Sequence, residues 1–522
     1  MVVSDVTLQD ELPCMWNAKQ KVHVTCFPMS DVDKRMFVKQ DLLGLRNLDT
    51  LQDWEDQVAP LVGDIDWSSL SDEDLEEDGW KLLDMGLTLG VFQIEKGYAR
   101  QLCKSFKPRS IEDLGIIVAL NRPGPIRSGA PDSFIARRNG EEAVSYDHPI
   151  LEDILEPTYG WFLYQEQVIA FFSKIGFSLG DADAVRKILG KKKPEEMKAL
   201  RDGTGEWAGK GYFAAAESAG IDPQSADAIW AKIEDFAKYS FNKSHAIAYA
   251  TIAFRTLYAK YNAPAQFVMA CIRTNPDDAG DYVSEGRRMG IKVLPPNIMR
   301  SEPEVSVVNG DIYFGFSNIK GIGKGSAEFL CELRDQYSLS DPEALFDAIQ
   351  DRQEDWSQRQ KDGKLKPKEK SPRQQFRQNL ISLLEQSGAW EEYEPRDLTM
   401  LDKQKLEKEL LGVILTDNCD EIFDNNSDAI EDCDSYADLE LSDGDKLRIP
   451  GAISSVVTKK TKKDGKAMGI VTVEYRGDSV EFVVFPRQWQ DYRFLWKERT
   501  PAIFTLSKGD RGVRFEDAIK LQ

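Results

Sequence analysis

The spacing of apolar and polar residues changes along the chain and predicts three structural regions. Residues 1–55 contain short apolar stretches separated by turns, which predicts strands. From about 86 to 275, apolar residues recur at i, i+3 and i+4 between Pro and Gly breaks, which predicts a mainly helical region. Residues 446–522 alternate in the strand manner, and this spacing predicts a small five-stranded barrel.

Three further segments join these regions. The sequence "YFGFSNIKGIGKGSAEFLCELRDQY" (313–337) predicts a strand, a Gly-x-Gly turn and a helix. A basic, proline-containing stretch at 361–377 predicts an exposed insertion, and the acidic stretch 417–445 predicts a linker. We therefore expect a multidomain α+β protein.

The 522 residues of the chain allow roughly three or four domains.

Acidic and basic residues are segregated along the chain. The formal net charge of −21 at first argues against a polyanionic partner, but acids are concentrated in stretches such as 64–78. Basic stretches stand apart at 186–193, 361–377 and 459–466. This segregation is compatible with a nucleic-acid cleft on a protein that otherwise repels nucleic acid.

Cysteines, histidines and apolar runs exclude several classes of protein. The seven cysteines include no C-x-x-C pair, which predicts reduced thiols in a cytosolic protein. Three histidines are too few to expect a histidine-based metal cluster. No apolar run approaches the ~20 residues of a membrane span, and no signal peptide is visible. We expect a cytoplasmic protein without a membrane partner.

Two stretches of the helical region carry candidate phosphate-binding residues. In "RKILGKKKPEEM" (186–197), cations at a predicted helix end form either a solvated face or a triphosphate site. They are Arg186, Lys187, Lys191, Lys192 and Lys193. In "FAKYSFNKSHAIAYA" (236–250), Asn242 or Ser244 caps the next helix, or aromatic rings stack on a nucleotide whose phosphate meets Lys243. The residues alone leave both alternatives open.

Two later stretches are candidates for DNA binding. In "IKGIGKG" (319–325), which has the look of a helix–hairpin–helix, glycines let the backbone approach a phosphate that helix amides can bind. The residues concerned are Lys320, Gly321, Gly323 and Lys324, although glycine turns are also common without DNA. The predicted hairpin tip "KKTKKDGK" (459–466) serves solubility or binds single strands. Its candidates are Lys459, Lys460, Lys462 and Lys463.

A single carboxylate, Asp41, lies in the apolar, strand-like run "FVKQDLLGLRNL" (37–48). If that strand is buried, the carboxylate needs a partner. Asp31 and Asp33 form a nearby D-x-D string, but their turn-like context makes them poor substitutes for a strand-borne pair. The "RGD" at 476–478 is interpreted as a hairpin turn.

Together these motifs resemble the bacterial replicative DNA polymerase III α subunit of the C family. "VKQDLLGLRNL" resembles the "KFDFLGL" motif of its palm, and "GVFQIEKG" is similar to its FQ-[LI]-E segment. The finger motifs follow in the family's order: "VALNRPGPIRSGAPDSFIARRNG", "LEPTYGWFLYQEQV", "RKILGKKKPEEM", "FAKYSFNKSHAIAYA" and "MGIKVLPPNI". Lys96-Gly97 departs from the family, which tends to have a serine there.

The resemblance implies an order of domains and a set of metal-binding carboxylates. The domains are a partial palm like that of DNA polymerase β (1–85), fingers (86–310), a helix–hairpin–helix and clamp-binding-like region with the basic insertion (311–420), an acidic linker (421–445) and an OB-fold domain (446–522). In this family three aspartates hold two Mg²⁺ ions, and Asp41 corresponds to the third. The first two lie in an upstream D-x-D strand. That strand, the thumb and the PHP domain of the family have no counterpart in this sequence.

The resemblance also implies ligands. Incoming dNTP is bound by Arg186, Lys187, Lys191 and Lys192, with Tyr239, Asn242, Lys243 and His245 lining the pocket. Primer–template DNA is bound by the lysines and glycines of the two later stretches. A sliding clamp is a further candidate partner, although "RDLTML" (396–401) is a poor match to the family's clamp-binding peptide.

Our preferred hypothesis is one half of a split DNA-directed DNA polymerase that is inactive without a second polypeptide supplying the D-x-D carboxylates. A compact split polymerase suggests a bacteriophage, acting in the cytoplasm of an infected bacterium. The alternative is a non-catalytic, polymerase-derived DNA-binding or replisome scaffold protein. A third interpretation, a fragment of a longer polymerase, is less favoured because the chain begins with Met1.

Overall fold

The computed structural model divides into two compact units, Met1–Asp49 and Thr50–Gln522. The structure describes residues 2–3, 7–35, 37–39, 43–127, 129–191, 194–236, 241–297, 299–336, 342–365, 400–415, 419–436, 439, 444–461, 465–475, 478–497, 499–509 and 512–521.

The first unit contains short strands and short helices. Its described elements are β1 (Val2–Val3), α1 (Leu8–Glu11), β2 (Cys14–Asn17), β3 (Val22–Thr25), α2 (Met29–Lys34) and β4 (Val38–Lys39). β1 pairs antiparallel with β4, and β2 pairs antiparallel with β3. The short strands predicted for residues 1–55 are therefore present, but the prediction missed α1, α2 and the helix that begins at Arg46.

The turn expected around Asp31 and Asp33 is wrong, because both residues lie in helix α2. The helix begins after Pro28, whose carbonyl accepts hydrogen bonds from the amides of Asp31 and Val32. Lys34 Nζ lies 3.1 Å from Asp31 Oδ1, one helical turn earlier, and this pairing supports the helix.

The middle of the chain is helical, as its periodicity predicts. The helices are α3 (Arg46–Val62), α4 (Glu77–Asp84), α5 (Gly97–Phe106), α6 (Ile111–Leu120), α7 (Pro123–Arg127), α8 (Ala130–Arg138), α9 (Glu152–Leu155), α10 (Gln165–Lys174), α11 (Leu179–Lys191), α12 (Pro194–Asp202), α13 (Tyr212–Ser218), α14 (Pro223–Phe236), α15 (Lys243–Asn262), α16 (Pro264–Thr274) and α17 (Ala279–Arg288).

Two hydrophobic cores hold these helices together. One lies among α10 to α14, where Phe171, Phe172 and Tyr212 are fully buried and their rings lie in mutual contact. The other joins α3, α16 and α17 around Trp54 and Phe267. The helical region thus packs around two separate cores, and we call the part around the second core, with the C-terminal end of α15, its base.

A small sheet and a second helical segment follow. Strand β5 (Val293–Leu294) pairs parallel with β7 (Asp311–Tyr313), which pairs antiparallel with β6 (Ser306–Val308). The helices are α18 (Lys324–Gln336), α19 (Pro342–Lys361) and α20 (Met400–Leu410). Buried side chains such as Phe316, Ile319 and Ile322 pack the turn before α18 against Leu410.

The segment predicted as an acidic linker contains two helices, α21 (Cys419–Asn425) and α22 (Ser427–Glu431). Phe423 is buried, and its ring lies 4.9 Å from that of Tyr475. This stretch is therefore attached to the following barrel by apolar contacts, which a free connection does not make. The boundaries of the domain itself stay a prediction.

The C-terminal region is a closed barrel of five strands, as predicted. The strands are β8 (Lys446–Lys460), β9 (Ala467–Tyr475), β10 (Asp478–Val484), β11 (Pro501–Gly509) and β12 (Gly512–Lys520), with helix α23 (Pro486–Asp491) after β10. Around the barrel the order is β10–β12–β11–β8–β9, and only the β10–β12 pair is parallel. Its core contains Phe482, Phe504 and Phe515. The arrangement is consistent with an OB-type fold.

Among the described residues, no helix is both long and apolar enough to cross a membrane.

Candidate nucleotide and DNA interface

The N-termini of three helices meet at one place in the helical region. The backbone amide of Lys243, at the start of α15, donates to Glu166 Oε2 in the first turn of α10 (2.8 Å). Lys243 Nζ lies 3.3 Å from Glu112 Oε1 in the first turn of α6. Because helix N-termini carry partial positive charge, this convergence favours anions, which the two glutamates supply.

Asn242 is the N-cap of α15. Its Oδ1 accepts a hydrogen bond from the His245 amide (2.8 Å) and another from the Ser244 hydroxyl (2.6 Å). The capping alternative is therefore correct for Asn242. Because that side-chain oxygen already serves the backbone, any contact of Asn242 with a nucleotide has to come from its amide nitrogen.

Aromatic rings line the same place. The His245 ring lies 5.6 Å from the Phe241 ring and 4.2 Å from the Tyr249 ring. The Arg122 guanidinium lies over Phe241 (4.7 Å), and Lys243 Nζ lies 5.8 Å from the centre of the Tyr164 ring. Rings and cations thus alternate on this surface, a pattern suited to stacking a base beside a phosphate.

Arg186 reaches this place from α11. It donates to Gln165 Oε1 (3.2 Å), and the Gln165 amide donates to the Phe241 carbonyl (2.8 Å). Arg186 Nε also donates to Asp183 Oδ1, and Lys187 Nζ lies 2.8 Å from Asp183 Oδ2. The structure therefore brings Arg186 to the residues around α15, although more than 50 residues separate them in the sequence.

The ionisable groups respond to this arrangement. Hydrogen bonds from Lys187 and Arg186 hold the pKa of the Asp183 carboxyl below its ordinary value. Burial raises the pKa of the Tyr164 phenol well above its ordinary value, with smaller contributions from Glu112 and Glu166. Tyr164 therefore stays neutral, and its ring is available for contact with Lys243.

Several predicted site residues lie outside the described residues. They are Asp41, Lys192, Tyr239, Lys462 and Lys463. Lys191 ends helix α11. The roles of these residues stay predictions.

The turn before α18 has the geometry expected for the "IKGIGKG" stretch. Gly321 has φ +94°, a backbone conformation that favours glycine, and the Gly323 carbonyl accepts the first hydrogen bonds of α18. Lys320 and Lys324 are exposed, and Lys324 Nζ lies 3.1 Å from Glu304 Oε1. The first amides of a helix have no acceptor within it, and the turn before α18 is exposed at Gly321, Gly323 and Lys324, so these amides can bind a phosphate.

The barrel places Lys459 and Lys460 at the exposed end of β8, opposite Met468 and Ala467 of β9. They therefore lie on a β-hairpin, as predicted, but far along the sequence from the turn before α18.

Within the described part of the chain, no group of three or more His, Cys, Asp or Glu side chains could hold a metal ion.

Comparison with known proteins shows which family the chain resembles. A model of the bacterial DNA polymerase III alpha subunit finger domain matches residues 47–209, and a helix-hairpin-helix model matches residues 290–360. The DNA polymerase III alpha subunit of Aquifex aeolicus is 30% identical over 520 residues, which is 95% of this chain and 43% of that protein. The Vibrio cholerae subunit is 38% identical over 350 residues, or 64% of this chain and 29% of that protein.

The chain is a relative of the C-terminal half of DNA polymerase III alpha subunits. It spans less than half the length of the curated alpha subunits that it matches most strongly. Arg186 and Lys187 lie inside the matched finger domain, whereas Asn242, Lys243 and His245 follow it. The recognition of the family from its motifs is confirmed.

Four residues at the junction of α6, α10 and α15 were not predicted from the sequence: Glu112, Tyr164, Gln165 and Glu166. Acids in the first turns of α6 and α10 are common at helix N-termini, so nothing in the sequence distinguishes Glu112 and Glu166. Their pairing with Lys243 spans 131 and 77 residues and becomes visible only in the fold.

Proposed function

We propose that this chain is a component of a DNA-directed DNA polymerase, in which it supplies the fingers that bind the incoming dNTP and modules that bind DNA. The observation that carries the proposal is the junction of α6, α10 and α15, which lies next to Arg186 in a chain with a matched finger domain. Cations, aromatic rings and helix N-termini are the groups that a nucleoside triphosphate requires.

The cations of this junction are held by carboxylates that a triphosphate can replace. Arg186 and Lys187 share Asp183, and Lys243 pairs with Glu112, whose side chain is 72% exposed. Exposed ion pairs are weak, so the exchange of one acceptor for another costs little. Lys191, the last residue of α11, and Lys192, which follows it in the sequence, would extend the site, and Tyr239 and His245 would contact the base or sugar.

DNA would be bound beyond the fingers. The amides of Lys324 and its neighbours, with Gly321, Gly323 and Lys320, would contact backbone phosphates. Lys459, Lys460, Lys462 and Lys463 would add charge on the barrel. These contacts position a strand and do not select a sequence.

Asp41 would be the chain's catalytic and metal-binding carboxylate. With its partner carboxylates it would hold Mg²⁺, which would supply activation of the primer hydroxyl and binding of the triphosphate. These ions would be held by Asp41 together with a D-x-D pair carried by another polypeptide. That polypeptide would also carry the thumb and PHP domain, and a sliding clamp is a further proposed partner.

Primer extension tests this proposal directly. A labelled primer–template, dNTPs and MgCl₂ are incubated with the chain alone, and with the polypeptide from the same genome that carries a palm D-x-D strand. We expect extension only by the mixture, and none when the chain carries Asp41→Ala. Asp31→Ala, an aspartate in α2 of the same unit, is the matched control and should extend normally.

Two outcomes would contradict the proposal. Equal extension by Asp41→Ala and by the unchanged chain would remove Asp41 from the chemistry. DNA binding without extension by any mixture would favour the alternative, a non-catalytic scaffold derived from a polymerase.

A further inference from the structure

A cavity of about 450 Å³ lies where the helical region meets the barrel. Helix α5 and the C-terminal end of α17 form one wall, and residues 433–436 together with β8, the end of β9 and the start of β10 form the other. Four cations line the cavity: Lys96, Arg100, Lys104 and Arg288. None of these residues belongs to the nucleotide or DNA candidates described above.

The charge of this cavity is opposite to that of the protein. Its lining contains two acids, Asp434 and Asp478, against the four cations, in a chain whose formal net charge is −21. A concentration of positive charge in a concave site raises the local concentration of anions. The volume is in the range of small-ligand pockets.

Arg100 is built into the cavity as a fixed donor. Its side chain is 5% exposed, and it donates to Thr88 Oγ1 (3.0 Å), to the Glu95 carbonyl (3.1 Å) and to Asp478 Oδ1 (3.0 Å). Asp478 is the last residue of the "RGD" sequence and begins β10. Burial raises the pKa of the Asp478 carboxyl, so its charged form is held here at a cost in solvation.

Lys104 differs from the other three cations. Arg288 donates to Glu285 and to the Met85 carbonyl, and Lys96 pairs with Asp281. Lys104 is exposed and forms no hydrogen bond or ion pair with a described residue. Its ammonium group is therefore available to a ligand in the cavity.

The N-terminus of α5 adds to the same field. Gly97 begins the helix and lines the cavity, and the preceding residue, Lys96, makes no side-chain cap. A cation at this position opposes the helix dipole, whereas an anion in the cavity would stabilise both the dipole and the lysine.

We propose that this cavity binds a phosphate group. The phosphate belongs either to a free ligand, such as a nucleotide or pyrophosphate, or to a nucleic-acid strand. Lys104 and Arg100 contact the phosphate, and Asp478 competes with it for Arg100. The site is separate from the proposed dNTP site, so it does not depend on that function.

Isothermal titration of the full chain tests the proposal. The probes are pyrophosphate, dAMP and a 5′-phosphorylated tetrathymidylate, each at fixed ionic strength, with hydrogen exchange of residues 97–101 as the local readout. We expect Lys104→Ala to weaken binding roughly fivefold. Asp478→Asn should strengthen binding, because it removes the competing charge and keeps the side-chain shape.

Lys292→Ala is the matched control, since Lys292 is exposed and does not line the cavity. Binding of pyrophosphate or dAMP assigns the free ligands, and binding of the oligonucleotide alone assigns the strand. Binding that Lys104→Ala leaves unchanged would place the ligand elsewhere and overturn the proposal. So would the absence of binding by all three probes to both the unchanged chain and Asp478→Asn.

Discussion

The base of the helical region and its proposed nucleotide site both contain lysine–carboxylate pairs, but the pairs differ in burial. At the base, Lys260 of α15 and Glu285 of α17 are 0% and 1% exposed. At the site, Lys187 is 59% exposed and its partner Asp183 is 38% exposed. One pair is sealed in the core, and the other lies open to water.

The surroundings of the buried pair explain why it is fixed. Lys260 Nζ donates to the carbonyls of Leu87 (2.9 Å) and Leu89 (2.8 Å) and lies 2.5 Å from Glu285 Oε1. Glu285 Oε1 also accepts from the Leu89 amide (3.1 Å). The pair thus holds the segment between α4 and α5 to two helices. Removal of either side chain would leave buried polar groups without that hydrogen-bond partner.

Along α15, the lysine proposed to bind a ligand and the lysine that stabilises the fold lie near opposite ends of the helix. Its N-terminal Lys243 pairs with an exposed glutamate, whereas Lys260, near the other end of the same helix, is buried. A cation that has to exchange its partner for a ligand is best held weakly at the surface. A cation that fixes the fold is best buried with every donor used.

Replacement of Lys260 should have the largest effect. We expect Lys260→Ala to lower the free energy of unfolding by about 3–5 kcal/mol, because Glu285 Oε1 and the carbonyls of Leu87 and Leu89 are left buried without the lysine ammonium, while Arg288 still pairs with Glu285 Oε2. Burial lowers the pKa of Lys260, and the Glu285 carboxylate opposes that shift. Chemical denaturation followed by far-UV circular dichroism measures the change.

A double variant separates the ion pair from simple loss of packing. Lys260→Met combined with Glu285→Gln removes both charges and keeps an acceptor for the Leu89 amide, so it should be less destabilised than the sum of the two single variants. A Lys260→Ala variant within about 1 kcal/mol of the unchanged chain would contradict the fixed role assigned to this pair.

Loss of the α15 cap should have a smaller effect. Asn242→Ala removes the acceptor for the His245 amide and should cost about 1 kcal/mol of stability. Asn242→Asp keeps an acceptor and should retain most of that stability. The measurement is the same denaturation experiment. If both variants are equally stable, the hydrogen bonds of Asn242 do not hold the helix.

Local pattern predicted much of this fold. The helices of the middle region and the strands of the barrel follow from spacings of 3.6 and 2 residues. Helices α21 and α22 were not predicted, because twelve acids between 417 and 445 suggest a solvated chain. Phe423 packs against the barrel, and a single aromatic side chain gives no periodic signal.

The site was predicted less completely, for a physical reason. The cations of 186–197 and 236–250 are visible in the sequence, and Asp183 lies one helical turn from Arg186 and Lys187. The acceptors that bring Arg186 and Lys243 to the other helices, Gln165 and Glu112, lie far away along the chain. Glu112 is 131 residues from Lys243, and Asp478 is 378 residues from Arg100. Such pairings depend on packing rather than on local pattern. The roles of Asp41 and the other site residues stay predictions.

Replacement of Lys187 should have the smallest effect on the free energy of unfolding. It tests most directly whether the exposed ion pair serves the ligand and not the fold. Lys187 and Asp183 form an exposed pair on one helix, so Lys187→Ala should leave the free energy of unfolding unchanged within error. In the reconstituted primer-extension assay the same variant should raise the KM for dNTP, because one cation of the proposed site is lost. Lys198→Ala, an exposed lysine on α12 without an ion pair to a described residue, is the matched control and should change neither quantity. A Lys187→Ala variant that loses stability but keeps its KM would reverse the roles, because the exposed pair would then serve the fold and not the nucleotide.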